Sequence, residues 1–144
     1  MNNAARIMVV DDDPDITDQL SLLLTAEGYE VAVANGQEEG ELALLTSQPD
    51  LAIVDLMMEE RDSGLVLCHR IKRIYPGTPV ILLTSVNSTT ALSFAVTSAE
   101  QQTWVKADRL LDKPIRAEQI RQEVRKLLVR TGKVTATTGG GERP

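Results

Sequence analysis

Five short runs of apolar residues recur along the chain, separated by longer segments with helical periodicity. The runs cover residues 7–10, 31–34, 51–54, 80–83 and 110–111. Each is too short for a helix and lies among turn residues or charges, which is typical of strands. Because they are almost continuously apolar rather than alternating, we expect strands covered on both faces, as in a parallel sheet.

The segments between these runs predict helices. Asp13 can cap the first helix, Pro14 suits its first position, and Gly28 can end it. The second helix is expected over 37–47, the third over 64–75 and the last over about 116–130. The side chains expected to face inward are Ile16, Leu20, Leu23 and Leu24, then Leu42 and Leu45, then Leu67, Cys68, Ile71 and Ile74, and finally Ile120, Val124, Leu127 and Leu128.

Strand and helix patterns alternate, and this alternation predicts an α/β fold, a doubly wound five-stranded parallel sheet with helices on both faces. We place one domain over residues 5–130. Residues 131–144 have no apolar periodicity and are expected to form a disordered C-terminal tail. Residues 85–108 give the weakest pattern; a helix of modest propensity is expected there, with Trp104 packed over its end.

Composition narrows the function classes. A chain of 144 residues with a formal charge of −6 argues against general nucleic-acid or anionic-membrane binding. The single cysteine, Cys68, excludes an internal disulfide and fits a reducing compartment. No apolar run approaches the length of a membrane span, and no signal peptide is recognisable at the N-terminus. We therefore expect a cytoplasmic protein that binds neither nucleic acid nor membrane.

Polar residues follow the ends of four predicted strands. Asp11 and Asp12 follow the first, Asp55 the third, Thr84 the fourth, and Lys113 comes shortly after the fifth. In a doubly wound sheet, ligands bind beyond the carboxyl ends of the strands, where strand order reverses. These side chains should therefore gather at one rim.

The expected rim has the chemistry of a phosphoryl-transfer site. Clustered carboxylates raise one another's pKa unless a cation joins them, and an oxygen-only cluster suits Mg²⁺. Lys113 precedes Pro114, and a cis bond there would aim the ammonium over the rim. The metal, the Lys113 ammonium and the Thr84 hydroxyl would then cradle phosphoryl oxygens above Asp55 as the nucleophile.

Four segments, "VVDDDPDI", "LAIVDLMM", "PVILLTS" and "LLDKPI", resemble the signature segments of the response-regulator receiver domain. This resemblance covers about residues 5 to 130 and implies a flavodoxin-like sheet of order 2-1-3-4-5. It implies that Asp55 accepts a phosphoryl group from a sensor histidine kinase or phosphotransfer protein, with Thr84 and Lys113 binding that group. It also implies Mg²⁺ ligation by Asp12 directly, by Asp11 through water, by Asp55, and by the Met57 main-chain carbonyl.

The chain departs from the usual receiver pattern in three places. Glu59 stands where a proline is usual, beside Glu60 and Asp62, and Gly64 comes about one residue late. Met57 and Val86, at positions that tune loss of the phosphate, are both apolar, which predicts slow self-dephosphorylation. Leu110 replaces the aromatic residue that many receivers move on phosphorylation, which puts the usual readout in doubt.

We therefore predict a single-domain response regulator that signals by binding an unidentified downstream protein and turns over no metabolite. Two alternatives stay open: a degenerate receiver acting as a constitutive docking module, and a Mg²⁺-dependent aspartyl-phosphate phosphohydrolase. The hydrolase would need a second acid where Met57 lies. A flavin-binding domain is disfavoured because no phosphate loop follows the first strand. The basic face of the last helix, with Arg121 and Arg125, fits a solvated surface, and a homodimer contact is the alternative.

Overall fold

We describe a computed structural model of the chain, covering residues 4–58, 63–84 and 107–133. Within these ranges, five strands and four helices are formed. The strands are β1 (Arg6–Val10), β2 (Glu30–Ala34), β3 (Leu51–Asp55), β4 (Val80–Thr84) and β5 (Arg109–Asp112). The helices are α1 (Pro14–Ala26), α2 (Gln37–Thr46), α3 (Ser63–Ile74) and α4 (Ala117–Arg130).

The strands form one parallel sheet of order β2-β1-β3-β4-β5, which confirms the predicted architecture. Side chains alternate across it, so that Ile7 and Val9 pack on one face while Met8 and Val10 pack on the other. The first face is covered by α1 and α4, and the second by α2 and α3. Two covered faces explain why the central strands are apolar at almost every position.

Helix α1 follows the predicted pattern at both ends. Asp13 is the N-cap and accepts a hydrogen bond from the Asp15 N–H, with Pro14 in the first turn. Gly28 adopts a φ of +95° just after the helix, a conformation in which glycine avoids the strain of a side chain. The inward stripe of α4 is also as predicted, since Ile120, Val124, Leu127 and Leu128 are all buried.

The predicted inner faces of α2 and α3 need correction. Leu42 and Leu45 are 57% and 75% exposed, whereas Leu44 is 1% exposed and Gly40 is buried. The close approach of Gly40 to Leu67 on α3 turns the Gly40–Leu44 side of α2 inward. On α3, Leu67, Cys68 and Ile71 are buried as predicted, but Ile74 in its last turn is 41% exposed.

The prediction of strands covered on both faces fails at the sheet edges. Val33 on β2 and Leu110 on β5 are each 44% exposed, while every residue of β3 and β4 is buried. An edge strand lacks a neighbour on one side, so its outer side chains remain open to water.

A partly buried group of ion pairs lies at the end of the sheet opposite the predicted rim. The Asp108 carboxylate, just before β5, receives the Val80 N–H at 2.8 Å, Lys72 Nζ of α3 at 2.8 Å and Arg130 Nη2 of α4 at 2.8 Å. Burial opposes ionisation of this group, but the three donors together hold the pKa of Asp108 below its usual value. Asp108 thus joins both helical layers to the sheet.

Among the described residues, no helix combines the length and apolar character that crossing a membrane requires. The predicted tail beyond Lys133 and most of the predicted 85–108 helix, including Trp104, lie outside the described residues. The boundaries of the domain and its tail therefore stay predictions.

Candidate functional site

The rim site begins where β1 and β3 end side by side. Val10 and Val54 are paired in the ladder, so the residues that follow them, Asp11 and Asp55, emerge together at the point where strand order reverses. Asp11 is 1% exposed and Asp55 is 5% exposed, while Asp12 is open to solvent. Two of the three predicted acids are therefore buried, and the third faces water.

Lys113 lies next to both buried acids. The Lys113–Pro114 peptide bond is cis, which the sequence allowed but did not decide. Lys113 Nζ lies 3.2 Å from Asp11 Oδ2 and 3.2 Å from Asp55 Oδ1. The ammonium thus bridges two carboxylates that are 44 positions apart in the chain.

Burial dominates the electrostatics of the two inner acids. Burial, and after it repulsion from Asp11, raise the pKa of Asp55 and outweigh the lowering effect of Lys113, so that this pKa lies at about 6. Burial likewise raises the pKa of Asp11, against the hydrogen bond from the Asp13 N–H and the attraction of Lys113. For Lys113, burial disfavours the charged form, but the two carboxylates outweigh it and raise the pKa of the ammonium.

Asp11 is held by the start of α1. Its Oδ1 accepts the Asp13 N–H at 2.9 Å, and its own N–H donates to the Ala34 carbonyl at 3.2 Å. Asp13 therefore caps α1 and also orients Asp11, so the three consecutive aspartates divide into two that face the rim and one that begins a helix.

The acid cluster fits a hard divalent cation. Asp11, Asp12 and Asp55 can each offer an oxygen, and these oxygens lie within 4.8 Å of one another. Within the described part of the chain, Asp11 Oδ2 is buried and receives no hydrogen bond of good geometry. A buried oxygen with spare acceptor capacity beside two more carboxylates is a donor set that Mg²⁺ takes.

Thr84 reaches the rim but is engaged with a partner that the sequence did not suggest. It is 2% exposed at the end of β4, and its Oγ1 donates to Asp112 Oδ1 on β5 at 2.9 Å. Asp112, directly before Lys113, was not among the predicted site residues. The available sequence signal was only its place beside Lys113 at the end of the fifth strand, whereas its pairing with Thr84 appears in the ladder of the structure.

Gly64 packs directly against the backbone that follows Asp55. A Cβ on Gly64 would lie 2.5 Å from Leu56 Cα and closer still to the Asp55 carbonyl oxygen. The Gly64 N–H donates to the Leu56 carbonyl at 2.8 Å. Gly64 thus packs against this backbone although it comes about one residue later in the sequence than in the usual receiver pattern. Met57, the predicted carbonyl ligand, lies in this segment and is partly buried.

Several predicted features fall outside the described residues. These are the acidic residues Glu59, Glu60 and Asp62, and the apolar Val86. Leu110 is described, on the edge strand, with 44% of its surface exposed.

Comparison with known proteins shows which family this chain resembles. The family model described as the response regulator receiver domain matches residues 7–125. The DNA-binding dual master transcriptional regulator RpaA of Synechocystis is 34% identical over 90% of this chain and 51% of its own length. A CheY-like receiver domain protein of Methanospirillum hungatei has 26% identity and a TM-score of 0.74, covering 90% of this chain and 98% of that one.

A second solved structure was obtained with a ligand. It is the response regulator TrrA of Thermotoga maritima in complex with Mg²⁺-BeF, with 31% identity and a TM-score of 0.70. The alignment covers 86% of this chain and 99% of that chain. The chain spans about half or less of the length of the curated relatives it matches.

Proposed function

Since the chain belongs to the response regulator receiver domain family, we propose that Asp55 accepts a phosphoryl group from a phosphohistidine. The donor would be a sensor histidine kinase or a phosphotransfer protein. Some of the curated relatives are named as response regulators, which supports a signalling domain of two-component systems rather than a metabolic enzyme. The observation that carries the proposal is the convergence of Asp55, Asp11 and Lys113 at the rim.

In the proposed reaction, an Asp55 carboxylate oxygen attacks the phosphorus atom. The new O–P bond forms as the N–P bond of the phosphohistidine breaks, and the leaving imidazole nitrogen takes up a proton. The Lys113 ammonium, 3.2 Å from Asp55 Oδ1, is placed to neutralise charge on the transferring oxygens. The Thr84 hydroxyl would donate to another of these oxygens.

Magnesium would be held by the carboxylates of Asp11, Asp12 and Asp55 and by the Met57 main-chain carbonyl. When bound, Mg²⁺ supplies positive charge that offsets the phosphoryl oxygens and the clustered acids. Support comes from the short separations among the carboxylate oxygens and from the spare acceptor capacity of Asp11. The TrrA complex with Mg²⁺-BeF is consistent with this assignment.

We propose that the domain signals by binding a downstream protein and that it does so in the cytoplasm. RpaA is named as DNA-binding, and this chain corresponds to about half of it. We propose that this domain does not itself contact nucleic acid, because the formal charge of the full chain is −6.

The test is intact-mass measurement after incubation with acetyl phosphate and MgCl₂. The wild-type chain should gain the mass of one phosphoryl group. Asp55→Ala should gain none, whereas Asp18→Ala, which removes an exposed carboxylate on α1, should behave as wild type. Peptide mapping should place the modification at Asp55.

Two results would contradict this function. One is the absence of any mass gain in the wild-type chain, or its persistence in Asp55→Ala. The other is continued release of inorganic phosphate over many turnovers, which would identify a phosphohydrolase instead.

A further inference from the structure

Thr84 and Asp112 form a cross-strand pair at the rim. They stand opposite each other in the parallel ladder of β4 and β5, and Thr84 Oγ1 donates to Asp112 Oδ1 at 2.9 Å. Thr84 is 2% exposed, whereas Asp112 is open to solvent. A threonine hydroxyl has one proton, so it donates one good hydrogen bond at a time. In this structure that bond goes to the carboxylate of β5.

We propose that Asp112 is a positioning residue that holds the Thr84 hydroxyl away from the phosphoryl-binding position and so weakens phosphoryl binding at the rim. The inference rests on the proposed function, in which Thr84 donates to a phosphoryl oxygen. Donation to that oxygen requires loss of the bond to Asp112. The two acceptors compete for one proton, and the affinity for the phosphoryl group is reduced by the strength of the existing bond.

The competition has a consequence on the surface of β5. Alternate residues of a strand share a face, so Asp112 lies on the same face as Leu110, while Leu111 between them packs into the core. When Thr84 turns to the phosphoryl group, the Asp112 carboxylate loses its donor on this face. The Leu110 side chain has no polar group that could form a new hydrogen bond on this face, whereas Asp112 has a carboxylate that could.

The experiment is a double-mutant cycle on affinity for beryllofluoride, measured by calorimetry with Mg²⁺ at saturation. Asp112→Ala should bind beryllofluoride about fivefold more tightly than wild type, which is the effect of removing one modest hydrogen bond. In a Thr84→Val background, the same Asp112→Ala change should have no effect, because no hydroxyl remains to be released. Asp18→Ala should match wild type.

Two further measurements separate hydrogen bonding from charge and from damage to the fold. Asp112→Asn keeps an acceptor oxygen but loses the charge, and it should bind beryllofluoride with an affinity between those of wild type and Asp112→Ala. The affinity for Mg²⁺ alone should change little across the Asp112 variants, since neither Asp112 nor Thr84 is a proposed metal ligand. Without beryllofluoride, Asp112→Ala should unfold at a slightly lower temperature in one cooperative transition, because it loses the bond from Thr84 but keeps the fold.

The inference is overturned if Asp112→Ala binds beryllofluoride as wild type does, or more weakly. It is also overturned if the tighter binding persists in the Thr84→Val background, because removal of a negative charge would then be the cause. If the wild-type chain binds beryllofluoride and Asp112→Ala binds it with the same affinity, only this inference is wrong. Failure of the wild-type chain to bind it at all removes the proposed function as well.

Discussion

Asp55 carries an unfavourable charge in the described site. The residue is 5% exposed, and its carboxylate shares Lys113 with a second buried acid, Asp11. Burial and repulsion raise its pKa to about 6 despite the ammonium. Near neutral pH the ionised form is therefore present at a free-energy cost, which a bound cation or an added phosphoryl group can change.

This cost predicts a pH-dependent gain in stability for Asp55→Asn. The folded pKa of about 6 lies above the unfolded value, so the folded state binds more protons between about pH 4 and 6. The free energy of unfolding of the wild type should fall across that window as pH rises. With chelator present, Asp55→Asn should be more stable than wild type at pH 8, by roughly 1–2 kcal/mol, and about equal at pH 4.

Urea unfolding at both pH values measures this effect, with Asp18→Asn as an exposed control that should show little difference. If Asp55→Asn were the less stable protein at pH 8, the attraction of Lys113 would outweigh the burial of Asp55.

Gly64 predicts a second effect at the residue scale. An added methyl group would meet the backbone of Asp55 and Leu56, which cannot move aside as a side-chain end can. Gly64→Ala should reduce the free energy of unfolding by at least about 2 kcal/mol and lower the rate of Asp55 phosphorylation. Gly77→Ala is the matched control, since nothing lies within 4 Å of its added Cβ. Equal stability of the two variants in urea would contradict the close contact.

At the scale of the elements, α2 shows where periodicity stops being informative. Residues 42–45 are four apolar residues in succession, so several helical faces could be the inner one. The choice depends on Gly40, whose lack of a side chain lets α2 approach Leu67 and Val10. That contact joins residues far apart in sequence, and no local pattern contains it.

The corrected face is testable with neighbouring leucines. Leu44→Ala should cost about 2–4 kcal/mol of unfolding free energy because it leaves a cavity under α2. Leu45→Ala, at a side chain 75% exposed, should change it by less than about 0.5 kcal/mol. Urea denaturation of the two variants gives the comparison, and the reverse order would restore the original assignment of the inner face.

At the scale of the whole molecule, the sequence predicted what depends on alternation and on strand ends. Parallel strands bring their carboxyl ends to one edge, which is why the order of strands and polar residues suffices to place Asp11, Asp55 and Lys113 together. The Asp108 ion pairs and the Thr84–Asp112 bond could not be predicted in this way, because most of their contacts depend on how side chains are oriented across 28 positions or more of sequence.

The proposed Mg²⁺ site would couple metal binding to folding, and this coupling gives a prediction for the whole chain. Ligand binding to the folded state alone adds about 2.7 kcal/mol of stability at one hundred times the dissociation constant. Millimolar Mg²⁺ should therefore raise the unfolding temperature by several degrees at pH 8, and by less below pH 6, where protons compete for the carboxylates.

Thermal scans with and without chelator test this. Asp12→Asn should lose most of the shift and Asp18→Asn none of it. An equal shift in all three proteins would indicate general ionic effects rather than a site.

The contact between Gly64 and the Asp55–Leu56 backbone indicates where a difference in length between this chain and other receivers should fall. Helix α3 and strand β3 are docked to each other through that glycine, so we expect a difference in length to fall between Leu56 and Gly64, where it leaves the docking unchanged. In comparative alignments the gap should open there. In protein engineering, the same interval is where insertions should be tried first.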